Sequence, residues 1–188
     1  MYEKGYNRIV WGFVFTIINI NIVFIDILPN FIGYLLILSG LGIIEQQHPI
    51  YKKGKLPALV LSLLSLKDFF VVNQPNNTTV QMLPKNLWMM FMFLITIIIS
   101  VYLTYVLCKG IYLLSIEKGL IDLRDNAKGN FNLFLIINII IAFIWPFSLN
   151  LPSNGPISAI IFILMFTSLF ANIGIALVIR RGRKELKY

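Results

Sequence analysis

Residues 87–107 read LWMMFMFLITIIISVYLTYVL, twenty-one positions without a charged side chain. A helix crosses the hydrocarbon of a bilayer in about 20 apolar residues, roughly 17 at the least. The run is continuously apolar, whereas the strands of a membrane barrel alternate, so it reads as a membrane helix. Five similar runs flank it. The spacing predicts an all-α, polytopic transmembrane helical bundle of about six spans, at 9–28, 31–46, 56–73, 87–108, 131–149 and 157–179. The breaks between them hold turn residues: LPN at 28–30, HPIYKKGKLP at 48–57, NQPNNTTVQMLPK at 73–85 and NLPSNGP at 150–156. Clusters of proline and asparagine of this kind stop helices.

Composition agrees. Of 188 residues, 58% are hydrophobic and only 13% charged, where a soluble domain carries about a quarter charged residues. The deficit implies that most of the surface faces lipid, in one integral membrane domain spanning 1–188.

The basic residues sort by side. With six crossings and both termini together, one face receives Lys4 and Arg8, then Lys52, Lys53 and Lys55. It also receives Lys109, Lys118, Arg124 and Lys128, and finally Arg180, Arg181, Arg183, Lys184 and Lys187. That face holds fourteen of the sixteen Lys and Arg; Lys85 falls on the other and Lys67 inside a span. The positive-inside rule puts the fourteen in the cytoplasm, so the chain reads N-in/C-in in a cell membrane. The net charge of +8 is then explained by topology, with the tail RRGRKELKY lying on anionic inner-leaflet lipids. No aromatic or glycine-rich pattern accompanies the charge, so no nucleic-acid partner is expected. A homo-oligomer or a membrane partner remains open.

The second leg is short for a crossing. A re-entrant hairpin over 9–46 would also keep both ends inside. Crossing is favoured, because irregular backbone at mid-depth must be shielded by protein.

Polar residues inside the spans are the candidate functional groups. Asp26, Lys67 and Asp68 are the ionisable ones. Lys67 and Asp68 are adjacent and point about 100° apart on a helix, so each needs another partner. An Asp26–Lys67 pair between the first and third spans is one expectation, either as a structural bridge or as part of a solute or ion pathway. Asn19, Asn21, Asn138 and Asn172 lie within spans, where amides hydrogen-bond across helices or line a polar path. Thr96, Ser100 and Thr104 recur every fourth residue, followed by Cys108, and Gly33 and Gly40 share a face. Small residues at such spacing allow close helix approach first and pore lining second. Between spans, Tyr112, Ile116, Leu120 and Leu123 predict one amphipathic cytoplasmic helix over about 110–127, continuing the fourth span or lying on the leaflet.

No catalytic residue, metal site or cofactor is expected. The chain holds one histidine, His48, and one cysteine, Cys108, and lacks GxSxG, a P-loop and paired metal ligands. His48 reads as a loop residue beside Pro49.

The stretch DILPNFIGY, carried by Asp26, Leu28, Pro29, Asn30, Phe31, Gly33 and Tyr34, resembles a D-x-LP-[ND]-F-[IV]-G-Y motif of an uncharacterised multi-pass membrane protein family of Bacillota. The likeness covers the first hairpin. It implies a bacterial inner-membrane location and carries no activity with it. The functional expectation is small-solute or ion transport through a polar bundle interior; the alternative is a non-transporting structural, sensory or immunity-type membrane subunit.

Overall fold

The computed structural model describes residues 2–18, 30–72, 87–146 and 156–186. Six α-helices make up the described chain: α1 (Tyr2–Ile18), α2 (Asn30–Ile44), α3 (Lys55–Val72), α4 (Leu87–Glu117), α5 (Ile121–Ile144) and α6 (Pro156–Glu185). A 3-10 helix, Pro49–Gly54, joins α2 to α3. No strand occurs among the described residues. Three helices hold stretches long and apolar enough to cross a membrane: Met90–Glu117, Ile121–Ile144 and Phe162–Glu185. The helix Asn30–Ile44 is apolar but shorter, about 22 Å at ~1.5 Å per residue.

The first hairpin is built on glycine. Gly5 and Gly12 of α1 face Gly40 and Gly33 of α2, seven residues apart on each helix. A Cβ on Gly12 would lie 2.6 Å from the Gly33 carbonyl oxygen, and one on Gly40 would lie 2.6 Å from that of Gly5. The backbones therefore touch, which a Cβ on either side would prevent. A seven-residue period is one that keeps such a seam facing its partner along two packed helices. Gly33 and Gly40 were expected to pack closely; Gly5 and Gly12 are the surfaces they pack on.

The amphipathic helix expected over 110–127 is two helix ends. α4 runs on to Glu117, its Lys109 ammonium resting 4.6 Å from the Tyr112 ring centroid. It stops at Gly119, whose φ of +68° is the left-handed conformation that glycine adopts without a Cβ penalty. Leu120 N–H donates to Ser115 O (2.8 Å) and Gly119 N–H to Ile116 O (3.1 Å), the paired bonds of a Schellman cap. α5 then restarts at Ile121 with Asp122 in its first turn, where a negative charge suits the helix dipole. Gly119→Ala is expected to cost ~1–2 kcal/mol of stability, read as a lower melting temperature in detergent.

α6 likewise outruns its expected end. Arg180 to Glu185 continue the helix, and Gly182 and Leu186 are buried. The described part of the basic tail is a docked helix end, tied by Arg183 Nη1 donating to Asn7 Oδ1 (2.9 Å).

Contacts of α1 with α2 and α6, of α4 with α5, and of α5 with α6 close the bundle, while α3 packs on α2 and α4. Its core runs from Tyr6, Ile9 and Leu41 through Leu107 and Ile111 to Ile175 and Ile179. Elsewhere large apolar side chains stand exposed along α4, α5 and α6, among them Ile98 (67%), Phe143 (70%) and Phe170 (66%). An aqueous surface of that kind would aggregate; a lipid surface accommodates it.

Candidate functional site, an interhelical cavity

A cavity of about 290 Å³ lies between α1, α2, α4, α5 and α6. Each helix offers one face to it at helical spacing: Asn30, Tyr34 and Ile37 on α2; Thr96, Ser100 and Thr104 on α4; Phe134, Asn138 and Ile141 on α5. α6 contributes Ser168 and Asn172, and α1 contributes Phe13 and Thr16. No charged side chain is among the described residues that line it. The lining is apolar wall with hydroxyls and amides set into it, the usual make-up of a small-molecule site.

Several of these polar groups bond their own helix. Asn138 Nδ2 donates to Phe134 O (2.8 Å), Asn172 Nδ2 to Ser168 O (2.8 Å), Thr96 Oγ1 to Met92 O (2.8 Å) and Thr16 Oγ1 to Phe13 O (2.9 Å). Such bonds hold a polar side chain within apolar surroundings and fix which atom is left over. Phe93 and Trp145 stack, centroids 4.3 Å apart, at one end of the cavity. At the other end the bundle closes on Leu103, Phe134 and Ile37 and on the packed core beyond.

Beyond that core lies a second polar cluster. Tyr6 OH donates to Gln47 Oε1 (2.9 Å), and the Tyr6 and Tyr51 hydroxyl oxygens are 3.2 Å apart. With Tyr6's only proton committed to Gln47, Tyr51 is the donor of the second bond. Gln47 Nε2 donates to Leu186 O (3.0 Å), which fixes the orientation of its amide. Tyr51 is fully buried, and its ring lies against Gly110, where a Cβ would collide with it. The three side chains thus tie α1, the 3-10 segment, α4 and the end of α6 together. His48 is the N-cap of that segment, its Nδ1 accepting from Ile50 N–H (3.2 Å). Lys55 and Glu45 form an ion pair (2.6 Å) beside it.

Burial pushes the Tyr6 hydroxyl up to about 12, with the Tyr51 hydrogen bond acting in the opposite direction. Burial also holds Tyr51 well above its usual value of 10, helped by Tyr6 and Cys108 nearby. Both folded-state values lie above the unfolded ones, so the folded state keeps protons that the unfolded chain gives up. This contribution is complete below pH 10 and is lost as pH rises toward about 12. Melting temperature in detergent is expected to be level up to pH 10 and to fall above it. Tyr51→Phe, with one fewer titrating group, is expected to fall less steeply.

The expected site residues divide among these places. Asn138, Asn172, Thr96, Ser100 and Thr104 come together around the cavity. Gly33 and Gly40 form the seam of the first hairpin. Asp26, Asn19, Asn21 and the side chains of Lys67 and Asp68 lie outside the described residues. Thr16, Ser168 and Trp145 join the cavity without having been singled out, and Tyr34, noted only as part of the DILPNFIGY motif, joins it too. Tyr34 follows Asn30 by one helical turn, a spacing that could have marked it. Comparison with protein-family models, curated proteins and solved structures gives no match to this chain.

Proposed function

We propose that this chain is a multi-pass membrane protein with six crossings and both termini in the cytoplasm, which carries a small uncharged solute by way of the interhelical cavity. The cavity carries this reading: neutral hydroxyls and amides from several helices converge there within apolar walls. An ion stripped of water in such surroundings would lack a compensating charge, at high cost, whereas a neutral solute needs only hydrogen bonds.

The orientation is supported by how the basic segments meet. Asn7 bonds Arg183, Tyr6 meets Tyr51, Tyr51 lies on Gly110 and Gly182 on Ile111. These contacts gather the segments around Lys4, Lys52, Lys109 and Arg181 at one end of the bundle, the arrangement that the positive-inside rule assigns to the cytoplasm. The same end suits the anionic inner leaflet. Cysteine introduced at Lys53 in a Cys108→Ser background is expected to react with an impermeant maleimide only after the membrane is opened. Reaction in intact cells would reverse the orientation.

Transport is tested in proteoliposomes. Stopped-flow light scattering would follow entry of glycerol, benzamide and benzyl alcohol, against protein-free vesicles. At least one is expected to equilibrate faster with protein present and to lose that gain in Asn138→Leu. If folded protein leaves all three rates unchanged, carriage of solutes of this kind is overturned. A second reading then takes its place, a membrane subunit that binds without passing its ligand. The packed plug of Tyr6, Gln47 and Tyr51 at the basic end favours that reading.

A further inference from the structure

We propose that the cavity receives an uncharged molecule with a planar apolar body and a hydrogen-bond donor, the donor being taken by the amide oxygen of Asn138 and the hydroxyls of Ser100 and Thr104. This names the ligand class of the site above and rests on that reading.

Three polar groups lie within about one helical turn of each other along the bundle. The ring of Tyr105 lies 5.5 Å from that of Phe131, and Phe93 stacks on Trp145. Between these two contacts the antiparallel register of α4 and α5 brings Ser100 and Thr104 level with Phe134 and Asn138. Ser100, Thr104, Phe134 and Asn138 all line the cavity. Thr104 is 1% exposed and Asn138 8%.

The Asn138 amide nitrogen is held by Phe134 O, so its Oδ1 is the free end, and that end is an acceptor. No hydrogen bond to it is formed among the described residues, and none by the hydroxyls of Ser100 and Thr104. Their neighbours differ. Ser115 Oγ bonds Ile111 O (2.7 Å), Thr96 bonds Met92 O and Thr167 bonds Ile163 O (2.8 Å). Thr96, one turn away on the same lining, is satisfied by its own helix; Ser100 and Thr104 are not.

None of the three atoms is sealed away from the cavity, so a molecule that enters meets hydrogen-bonding capacity to spare, and one that completes it binds better than one that leaves it unmade. The set decides the chemistry. An amide oxygen and two hydroxyls carry no charge, so the ligand is neutral, and the Asn138 oxygen, which can only accept, selects one that brings an N–H or O–H. The stacked Phe93 and Trp145 rings, with Phe134 and Phe13 along the walls, favour a flat apolar body.

The test uses Trp145 as reporter, in full-length protein with Trp11→Phe and Trp88→Phe, which leaves it the sole tryptophan. Quenching by 4-iodophenol is compared with 4-iodoanisole, which lacks the donor, and with 4-iodobenzoate, which carries a charge, at fixed detergent concentration. Saturable quenching is expected from 4-iodophenol with a Kd about tenfold below that of 4-iodoanisole, and none from 4-iodobenzoate. The tenfold gap is expected to close in Thr104→Val and in Asn138→Leu. If Asn138→Leu does not fold, the Thr104→Val protein decides alone. Equal affinity for the two neutral probes, or a gap that survives in the variants, overturns the donor pocket and leaves the cavity reading standing. No saturable quenching by either neutral probe overturns both.

Discussion

Gly12→Leu is expected to abolish the folded first hairpin, lowering stability by more than ~3 kcal/mol and leaving little protein that survives detergent extraction. The Gly12 Cβ position lies 2.6 Å from the Gly33 carbonyl oxygen and 2.6 Å from Ile37 Cγ1. An oxygen in the helix backbone cannot rotate away as a side chain can, so α1 and α2 must separate. Even one methyl in a packed core costs ~1–3 kcal/mol, and Gly12→Ala is expected in that range. Leucine adds three further carbons, and separating the helices also strips Ile9, Phe13 and Ile37 of their burial. Gly33 and Gly12 share one contact, so Gly12→Ala and Gly33→Ala are expected to be less than additive in the double variant. Gly129→Ala is the control. Nothing lies within 4 Å of a Cβ there, and the site is inside α5, so alanine should raise stability by ~0.5–1 kcal/mol through helix propensity. Unfolding in a detergent titration measures all five variants. A Gly12→Leu protein as stable as the parent would mean that the two backbones do not touch.

How much of this was legible depends on the kind of signal. The long apolar runs showed the helices directly, because a lipid surface demands uninterrupted hydrophobicity whatever the partners are. Residues 87–107 lie within α4 as expected. Where helices end beside charges was less legible. The charges at Lys109 and Arg180 suggest exits from the membrane, yet the backbone continues through both, since a helix needs no apolar residue to propagate. The real stop, Gly119 after Lys118, is a recognisable cap signal that the apolar periodicity of 110–127 conceals. The seven-residue spacing of Gly33 and Gly40 could be read as a packing face; that Gly5 and Gly12 oppose it follows only from the antiparallel register. The stripe of Thr96, Ser100 and Thr104 carried two meanings, close packing or pore lining. Spacing on one helix cannot separate them, because the difference lies in how far off the facing helices stand. The Tyr6–Gln47–Tyr51 cluster was invisible for the same reason, its members meeting across more than 40 positions of sequence.

Tyr51→Ala is expected to open the basic end of the bundle and to cost ~3–5 kcal/mol, the usual loss for truncating a buried aromatic side chain. The ring is fully buried, fills the space that Gly110 leaves on α4, and its hydroxyl bonds Tyr6. Truncation removes the ring contacts and leaves the Tyr6 oxygen without its donor. Tyr51→Phe keeps the ring and loses only the hydroxyl, so a smaller loss of ~1–3 kcal/mol is expected. Cys108 reports the opening. It is the sole cysteine, is buried at 2% exposure, and lies close enough to Tyr51 to influence its ionisation. In the parent protein its thiol is expected to react with a maleimide only as the whole bundle unfolds. In Tyr51→Ala it should react at least tenfold faster under conditions where circular dichroism still shows the helices intact, and in Tyr51→Phe at close to the parent rate. That pattern separates a plug from a merely stabilising residue, since a general loss of stability would raise reactivity in both variants in step with the drop in melting temperature. If Cys108 stays protected in a folded Tyr51→Ala protein, the basic end is closed by the helices themselves, and any solute leaving on that side must part α1 from α6, where Asn7 and Arg183 hold them together.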